Sequence, residues 1–256
     1  MPIDLTTAMI GATVQIDQPL DNGITETATA FLVQAPGPDG APRTVLVTAG
    51  HVFDDMPGPV VRIGYRFAGT DGSWRFSRQP LTVRDQGKPL WRRNPGQDVA
   101  VMVIQAPPEI AAAAIPLSWM AQESDLKAAA LAPGDQMFDL GFPGGYASNP
   151  QGFPILRVGW LASYPLTPVA TYQSFLVDFR VFSGNSGGPV FVTADARRHP
   201  GAGDGTAQFV AGILTGQAST AGARLDLGVV VQAPYIRQTI ELLDKPLGFD
   251  PGPPPP

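Results

Sequence analysis

Glycine and proline punctuate this chain from one end to the other. There are 29 glycines and 28 prolines among 256 residues, close to twice the combined share of an ordinary globular protein. They lie scattered between short apolar runs and stop short of low complexity. Punctuation at that density demands many turns, and many turns between short apolar runs imply an all-β architecture. Hydrophobic residues make up 44% and charged residues 15%, apolar enough to fold and too poor in charge for a disordered chain. The length suits one or two domains, each able to bury its own core.

The pattern divides into two β units. In the first, Thr27-Ala28-Thr29-Ala30-Phe31-Leu32-Val33 reads as a strand, Pro36-Gly37-Pro38-Asp39-Gly40 as a turn and Thr44-Val45-Leu46-Val47-Thr48 as the returning strand. Residues 60–67 and 81–83 add strands, and Val99-Ala100-Val101-Met102-Val103-Ile104 is apolar enough to be buried on both faces. From residue 106 the character changes to a Pro- and Ala-rich connector with a short helical turn. A second β unit begins near Gly134-Asp135-Gln136-Met137-Phe138-Asp139-Leu140-Gly141 and continues through 155–163, 174–179, 189–193, 209–214 and 227–231. A polar loop occupies 194–206. Residues 234–244 read as a closing helix, with proline in the first turn and Ile236, Ile240 and Leu243 at i, i+4 and i+7. The resulting boundaries are 1–106, a connector 107–132, 133–232, the helix 233–246, and a polyproline-II-like tail 247–256. There are no internal repeats.

Several function classes drop out. The net charge is −5, with lysine only at positions 88, 127 and 245 and no basic stripe, so nucleic acid is not an expected partner. Cysteine is absent, which excludes disulfides, thiol nucleophiles and cysteine-held zinc or iron–sulfur centres. Two histidines cannot build an all-histidine metal cage, and no EF-hand pattern occurs; no metal or cofactor is expected. No apolar run reaches transmembrane length, so no membrane association is expected. Met1-Pro2-Ile3-Asp4-Leu5 lacks the basic start and apolar stretch of a signal peptide, and the expected compartment is the cytoplasm, or the periplasm or exterior if a leader was removed.

The chemistry concentrates at Ser183-Gly184-Asn185-Ser186-Gly187-Gly188-Pro189-Val190. An acyl-transfer nucleophile needs a hydroxyl exposed on a tight turn with backbone N–H groups converging on the developing oxyanion, and glycine supplies the backbone freedom for such a turn. The bland alternative is a Gly-rich strand connection with a bystander serine. Serine is weakly nucleophilic, so a base must accompany it. His51 follows Leu46-Val47-Thr48-Ala49-Gly50 at the end of a strand, whereas His199 sits beside Arg197, Arg198 and Pro200 and reads as a solvated loop residue. Alone, His51 reads better as a packed strand-end histidine. The base needs an orienting carboxylate. Asp98 opens the apolar run at Val99, where an unpaired carboxylate is costly; the alternative is a loop-terminal aspartate.

His51, Asp98 and Ser186 follow one another in that order, the first two in the first β unit and the third in the second. This resembles the chymotrypsin-like, trypsin-fold serine peptidases over residues 10–245. Thr48-Ala49-Gly50-His51 is similar to that family's histidine motif, Asp98-Val99-Ala100 to its aspartate motif, and Gly184-Asn185-Ser186-Gly187-Gly188-Pro189 to its serine motif. The resemblance is strongest to bacterial HtrA-type and glutamyl-endopeptidase-type protease domains, through Asp139-Leu140-Gly141-Phe142-Pro143-Gly144-Gly145 and Asp178-Phe179-Arg180-Val181-Phe182-Ser183. No PDZ-like stretch follows the helix.

The resemblance implies two six-stranded antiparallel β-barrels with a C-terminal helix, and a serine endopeptidase working without a cofactor on protein or peptide substrates. Its catalytic residues are His51, Asp98 and Ser186. Its oxyanion hole lies in Gly184-Asn185-Ser186, with the N–H groups of Gly184 and Ser186 as donors. Its specificity pocket is lined by Arg180, Val181, Ser183, Leu214, Thr215 and Gly216, giving a small or medium aliphatic preference if Arg180 points outward and an acidic one if it points inward. Gly216 would let a substrate strand pair with the enzyme edge. In digestive relatives an aspartate at the place of Asn185 pairs with a newly cut N-terminal amine. Asparagine cannot, so the loop is either preformed or ordered by other contacts, among them an activating protein partner. Three other readings stay open: a catalytically silent binding module of the same fold, a partner-activated cytoplasmic effector peptidase, and an esterase, since Gly184 to Gly188 also fits the bare Gly-x-Ser-x-Gly pattern. Trp74, Trp91, Trp119 and Trp160 read as packing residues, and Arg92-Arg93 and Arg197-Arg198 as solvated pairs.

Overall fold

The computed structural model describes residues 4–199 and 207–245. The tail from Phe249 onward and most of the 194–206 loop lie outside them. The first unit contains β1 (Thr13–Pro19), β2 (Thr25–Pro36), β3 (Pro42–Thr48), β4 (Val60–Ala68), β5 (Trp74–Thr82) and the short β6 (Arg84–Asp85), β7 (Lys88–Pro89) and β8 (Arg92–Arg93), ending in β9 (Ala100–Ile104). The order of its main sheet is β5-β4-β1-β2-β3-β9-β8. β10 (Ile115–Pro116) adds to β2 in parallel, and β6 and β7 form a separate two-stranded ladder. In the second unit β11 (Gln136–Gly141), β12 (Ile155–Leu161), β13 (Ser174–Asp178), β14 (Pro189–Val192), β15 (Phe209–Thr220) and β16 (Ala223–Gln232) close into a barrel in the order β11-β12-β13-β16-β15-β14.

Helices are short. α1 (Leu5–Ala12) precedes the first sheet, α2 (Gly50–Asp55) follows β3, α3 (Pro108–Ala112) and α4 (Glu123–Ala129) lie in the connector, and α5 (Ala233–Glu241) closes the described chain. The arrangement is all-β with a C-terminal helix, as the sequence implied; of the two six-stranded barrels expected, the second unit closes as one, whereas the first is an eight-stranded sheet because β8 and the parallel β10 extend it. Two elements were not legible in the sequence. α1 is capped by Asp4, whose carboxylate accepts the N–H groups of Thr6 and Thr7, and it buries Leu5, Met9 and Ala12. β1 lies at the centre of the first sheet although it carries Gln15, Asp17 and Gln18.

The two cores meet along β2, β3 and β9, whose faces alternate between them. Ala28, Ala30 and Leu32 pack into the first unit, while Phe31, Val33 and Ala35 join the core shared with the barrel. Val99 and Val101 face the shared core, and Ala100, Met102 and Ile104 the other; within that run Val103 alone is exposed. Each of these strands is therefore a near-continuous apolar run.

Arg66 on β4 ties the pieces together. Its guanidinium donates to the carbonyls of Ile10, Gly11 and Thr13 at the α1–β1 junction and to Gly152 O of the second unit, and it lies 5.1 Å from the Phe153 ring centroid. Burial lowers its pKa to about 10, which leaves it protonated at neutral pH. Arg66→Met keeps the apolar stem and deletes the donors. We expect it to destabilise the protein by about 3 kcal/mol, the worth of one or two charge-assisted hydrogen bonds, read as a lower urea midpoint at unchanged m-value.

Candidate functional site

His51 belongs to α2, which starts as soon as β3 ends. Asp98 lies just before β9, and β3 pairs with β9 through Thr48 opposite Ala100, so the ladder brings the two side chains together. Asp98 Oδ1 accepts the backbone N–H of His51 at 2.8 Å, and Oδ2 accepts the ring Nδ1–H at 2.5 Å. Gly50 makes the approach possible: a methyl group there would sit 2.4 Å from Arg93 Nε and 2.8 Å from Asp98 Oδ1. Arg93 bridges Asp54 at 2.7 Å and Asp98 at 3.7 Å.

The electrostatics follow. The Asp98 hydrogen bond, opposed by burial and assisted by the charges of Asp98 and Asp55, holds His51 above the ordinary imidazole value. For Asp98, burial pushes upward, but the His51 ring, its backbone N–H and Arg93 outweigh it and keep the carboxyl below the usual carboxylate range. An ionised carboxylate only accepts, so the neutral ring carries its proton on Nδ1 and leaves Nε2 a free acceptor. Both side chains are 34% exposed, so solvent screens the pair.

Ser186 lies in the turn leading into β14, with Gly184 at φ +91° and Gly187 at φ +89°. The first unit holds this turn through Thr29 on β2. Thr29 N–H donates to Ser186 O at 2.9 Å, its hydroxyl donates to Gly184 O at 2.7 Å, and that hydroxyl accepts Phe142 N–H at 3.1 Å. Thr48 donates to Thr29 O at 2.8 Å. A methyl group on Gly187 would lie 2.0 Å from Thr29 O, and one on Gly184 2.2 Å from Phe142 O. On the barrel side, Gly187 N–H donates to Leu214 O and Leu214 N–H to Gly188 O, both at 2.8 Å.

Among the described residues, the N–H groups of Gly184 and Ser186 donate to no protein acceptor. Asn185 departs from the expected oxyanion role: its N–H donates to Phe182 O at 3.1 Å, and its buried side chain turns inward to Asp139. Gly184 and Ser186 line a narrow cleft with His51, Ser183, Glu26, Thr27, Ala28, Val52, Asp55 and Met56. His51, Ser183 and Ser186 also line a groove of about 380 Å³ with Val181, Phe182, Thr215, Gly216, Gln217, Ser219 and Arg224. No hydrogen bond joins His51 to Ser186; the two side chains share both clefts.

Four of the six expected pocket residues, Val181, Ser183, Thr215 and Gly216, line the groove. Leu214 does not: its side chain is fully buried and only its backbone serves the turn. Nor does Arg180, which is 63% exposed, lies 5.1 Å from the Phe182 ring centroid and approaches Asp226 at 3.7 Å. Phe182, Gln217, Ser219 and Arg224 were not singled out; Ser219 and Arg224 face each other near the end of the β15–β16 hairpin.

The basic pairs are not simply solvated. His199 donates its backbone N–H to buried Asp135 at 2.6 Å and its ring Nδ1 lies 2.9 Å from the same carboxylate. Arg198 approaches Asp135 at 3.2 Å, and Arg92 donates to Lys245 O. A buried carboxylate gathers these donors because it cannot stay ionised without them. Among the described residues no three His, Cys, Asp or Glu side chains cluster as a metal site.

No protein-family model matches the sequence, and no curated protein sequence does. Solved structures match in shape. The HtrA-type protease AlgW with tripeptide is similar at TM-score 0.53 and 16% identity, over 94% of this chain and 62% of that one. The protease Anisep from Arthrobacter nicotinovorans is similar at TM-score 0.53 and 17% identity, over 92% of this chain and 96% of that one. The chain spans under two thirds of the AlgW chain. The fold is trypsin-like.

Thr29→Val removes the hydroxyl that bridges Gly184 O and Phe142 N with little change in volume. We expect a loss of about 1–3 kcal/mol in denaturant unfolding, with Thr29→Ser recovering most of it.

Proposed function

We propose that this protein is a serine endopeptidase that cleaves protein or peptide substrates through an acyl-enzyme. The observation that carries the proposal is the double hold of Asp98 on His51, at backbone and ring, beside a serine whose turn carries two N–H groups without a protein acceptor. In the reaction, Ser186 Oγ attacks the scissile carbonyl while His51 Nε2 takes its proton. The carbonyl oxygen becomes an oxyanion between the N–H groups of Gly184 and Ser186. Asp98 stabilises the imidazolium, which protonates the leaving amine, and water repeats the sequence on the ester. The structures similar in fold, AlgW and Anisep, are proteases, which fits this reading.

For the residue before the scissile bond we propose a small or medium aliphatic preference. Val181 supplies the apolar wall, and the Arg180 cation is turned toward Phe182 and Asp226. The open side of Gly216, where a methyl group would meet nothing within 4 Å, suits pairing with an extended substrate. Cleavage of a proteome-derived peptide library is expected to show Ala, Val or Ile enriched at that position; enrichment of Asp or Glu would refute the assignment.

A silent binding module is the second reading, favoured by the absence of a Ser186–His51 hydrogen bond. A fluorophosphonate probe separates the two. The endopeptidase reading expects labelling of Ser186, abolished in Ser186→Ala and reduced by about 10³-fold or more in His51→Ala. Folded protein that resists the probe would leave the binding module. The base works only when neutral, so labelling is expected to rise with pH through a midpoint above the ordinary imidazole value. Asp98→Asn should lower both that midpoint and the rate, because the partner that favours the imidazolium is gone.

A further inference from the structure

The mechanism leaves one buried titratable group unused. Asp139 on β11 is fully buried inside the barrel, directly beneath the turn that bears Ser186. Its Oδ2 accepts the Asn185 carboxamide N–H at 3.2 Å. Its Oδ1 has no hydrogen-bond partner, and neither has Asn185 Oδ1. We infer that Asp139 is a positioning residue for the oxyanion turn, acting through the Asn185 side chain as a carboxylic acid–carboxamide pair. The inference rests on the endopeptidase reading and adds to it the group that orders the turn from the barrel side.

The packing leaves this pair little freedom. Gly141 and Gly188 flank it without side chains. A methyl group on Gly141 would lie 3.2 Å from Asn185 Nδ2. One on Gly188 would lie 2.8 Å from Asp139 Oδ1, 2.5 Å from Leu140 O and 3.0 Å from Asn185 O, so three oxygens converge where its side chain would stand. An ionised carboxylate there adds negative charge among carbonyl oxygens. A carboxylic acid supplies the donor that the orphaned Asn185 Oδ1 lacks, and one proton satisfies two otherwise unpaired oxygens.

The surrounding charges agree. Arg157, opposite Asp139 across the β11–β12 ladder, is the one cation facing it among the described residues, but its guanidinium points out to Arg180 O and lies 5.1 Å from the Phe179 ring centroid. β14, on the other side, carries no charge. Burial, opposed by Arg157 and by the Asn185 hydrogen bond, raises the carboxyl to about 7. Asn185 sits between the two N–H donors of the oxyanion hole, so a shift of its side chain moves both.

Linkage fixes the sign. The native carboxyl holds its proton to higher pH than the unfolded one, so its ionisation lowers stability as pH rises from the ordinary aspartate range to about 7, with no further loss above. Asp139→Asn replaces the acid proton with an amide donor that cannot ionise.

The experiment is the pH profile of probe labelling at Ser186, with kcat and KM on a cleaved peptide, for the full-length wild type, Asp139→Asn and Asp139→Ala. Wild type is expected to give a bell, rising with His51 deprotonation and falling as Asp139 ionises. Asp139→Asn should keep labelling within about threefold below pH 7 and lose the descending limb; Asp139→Ala should lose about tenfold or more in kcat with little change in KM. Superimposable wild-type and Asp139→Asn profiles, or an Asp139→Asn variant as impaired as Asp139→Ala, would overturn the inference. Carboxyl carbon NMR of the wild type supplies a readout independent of catalysis and of whether the alanine variant folds. Asp139 is expected to titrate near 7 together with the amides of Asn185 and Ser186, and titration without those amide shifts would also overturn it. Coupled titration in a protein that never labels would leave the pair standing and remove the endopeptidase reading.

Discussion

Thr29 meets the turn that carries Ser186 at two atoms, its N–H on Ser186 O and its hydroxyl on Gly184 O. These bonds cross from the first unit to the second, and they lie where β2 is buried on both faces. The serine turn is therefore not anchored by its own barrel alone. Its position is set by the packing of the two units, and the same strand pair that carries Thr29, β2 with β3, leads into the helix that carries His51. Relative movement of the units would separate the hydroxyl from the imidazole and also strip buried hydrogen-bonding groups of their partners, each worth on the order of 1–3 kcal/mol. One seam thus couples stability to site geometry.

The glycines of the site follow from the same constraint. Backbone and charged groups approach one another where a β-carbon would stand: Asp98 and Arg93 over Gly50, Phe142 O over Gly184, Thr29 O over Gly187. At Gly184 and Gly187 the positive φ adds a second reason. Gly184 and Gly187 are a consequence of packing a turn between the carbonyl oxygens of Phe142 and Thr29, and a side chain at either position would push one of them away.

What could be read from the sequence was whatever announced itself locally. The apolar alternation of β2, β3 and β9, the glycines around Ser186 and the i, i+4, i+7 spacing of α5 all depend on near neighbours, and they carried the fold class; the meeting of His51 with Asp98 was implied only by the family resemblance. β1 escaped because Gln15, Asp17 and Gln18 look exposed, yet they are buried. Asp17 is held by Arg62 and Arg78, and Gln15 donates to Gly145 O, partners tens of residues away. His199 was read as solvated for the same reason, since its partner Asp135 lies 64 positions earlier. Thr29 looked like one more residue of a strand. Its signal was a polar side chain within an apolar run, and that alone does not name a partner in the other unit. Asp139 lay in a stretch quoted for its resemblance to HtrA-type domains, but a carboxyl between Phe138 and Leu140 in a buried strand was itself a sign of a group needing a partner.

In the proposed reaction two aspartates serve this site, in opposite states below pH 7, and their surroundings account for both. Asp98 is partly open to water and receives two donors from His51 with Arg93 nearby, so its charge is solvated by protein and solvent together and the ionised form is favoured. Asp139 is fully buried and receives one neutral amide donor, and its charged form lacks what makes the charge of Asp98 tolerable. Environments that drive two like groups apart in pKa divide the labour between them. The proposed reaction needs a fixed negative charge beside the imidazole, where positive charge would develop. Beneath the oxyanion turn a fixed negative charge would oppose the negative charge that develops on the substrate oxygen. In that proposal a neutral acid leaves the field of the Gly184 and Ser186 N–H groups unopposed, whereas a permanent carboxylate in the same buried site would work against oxyanion formation.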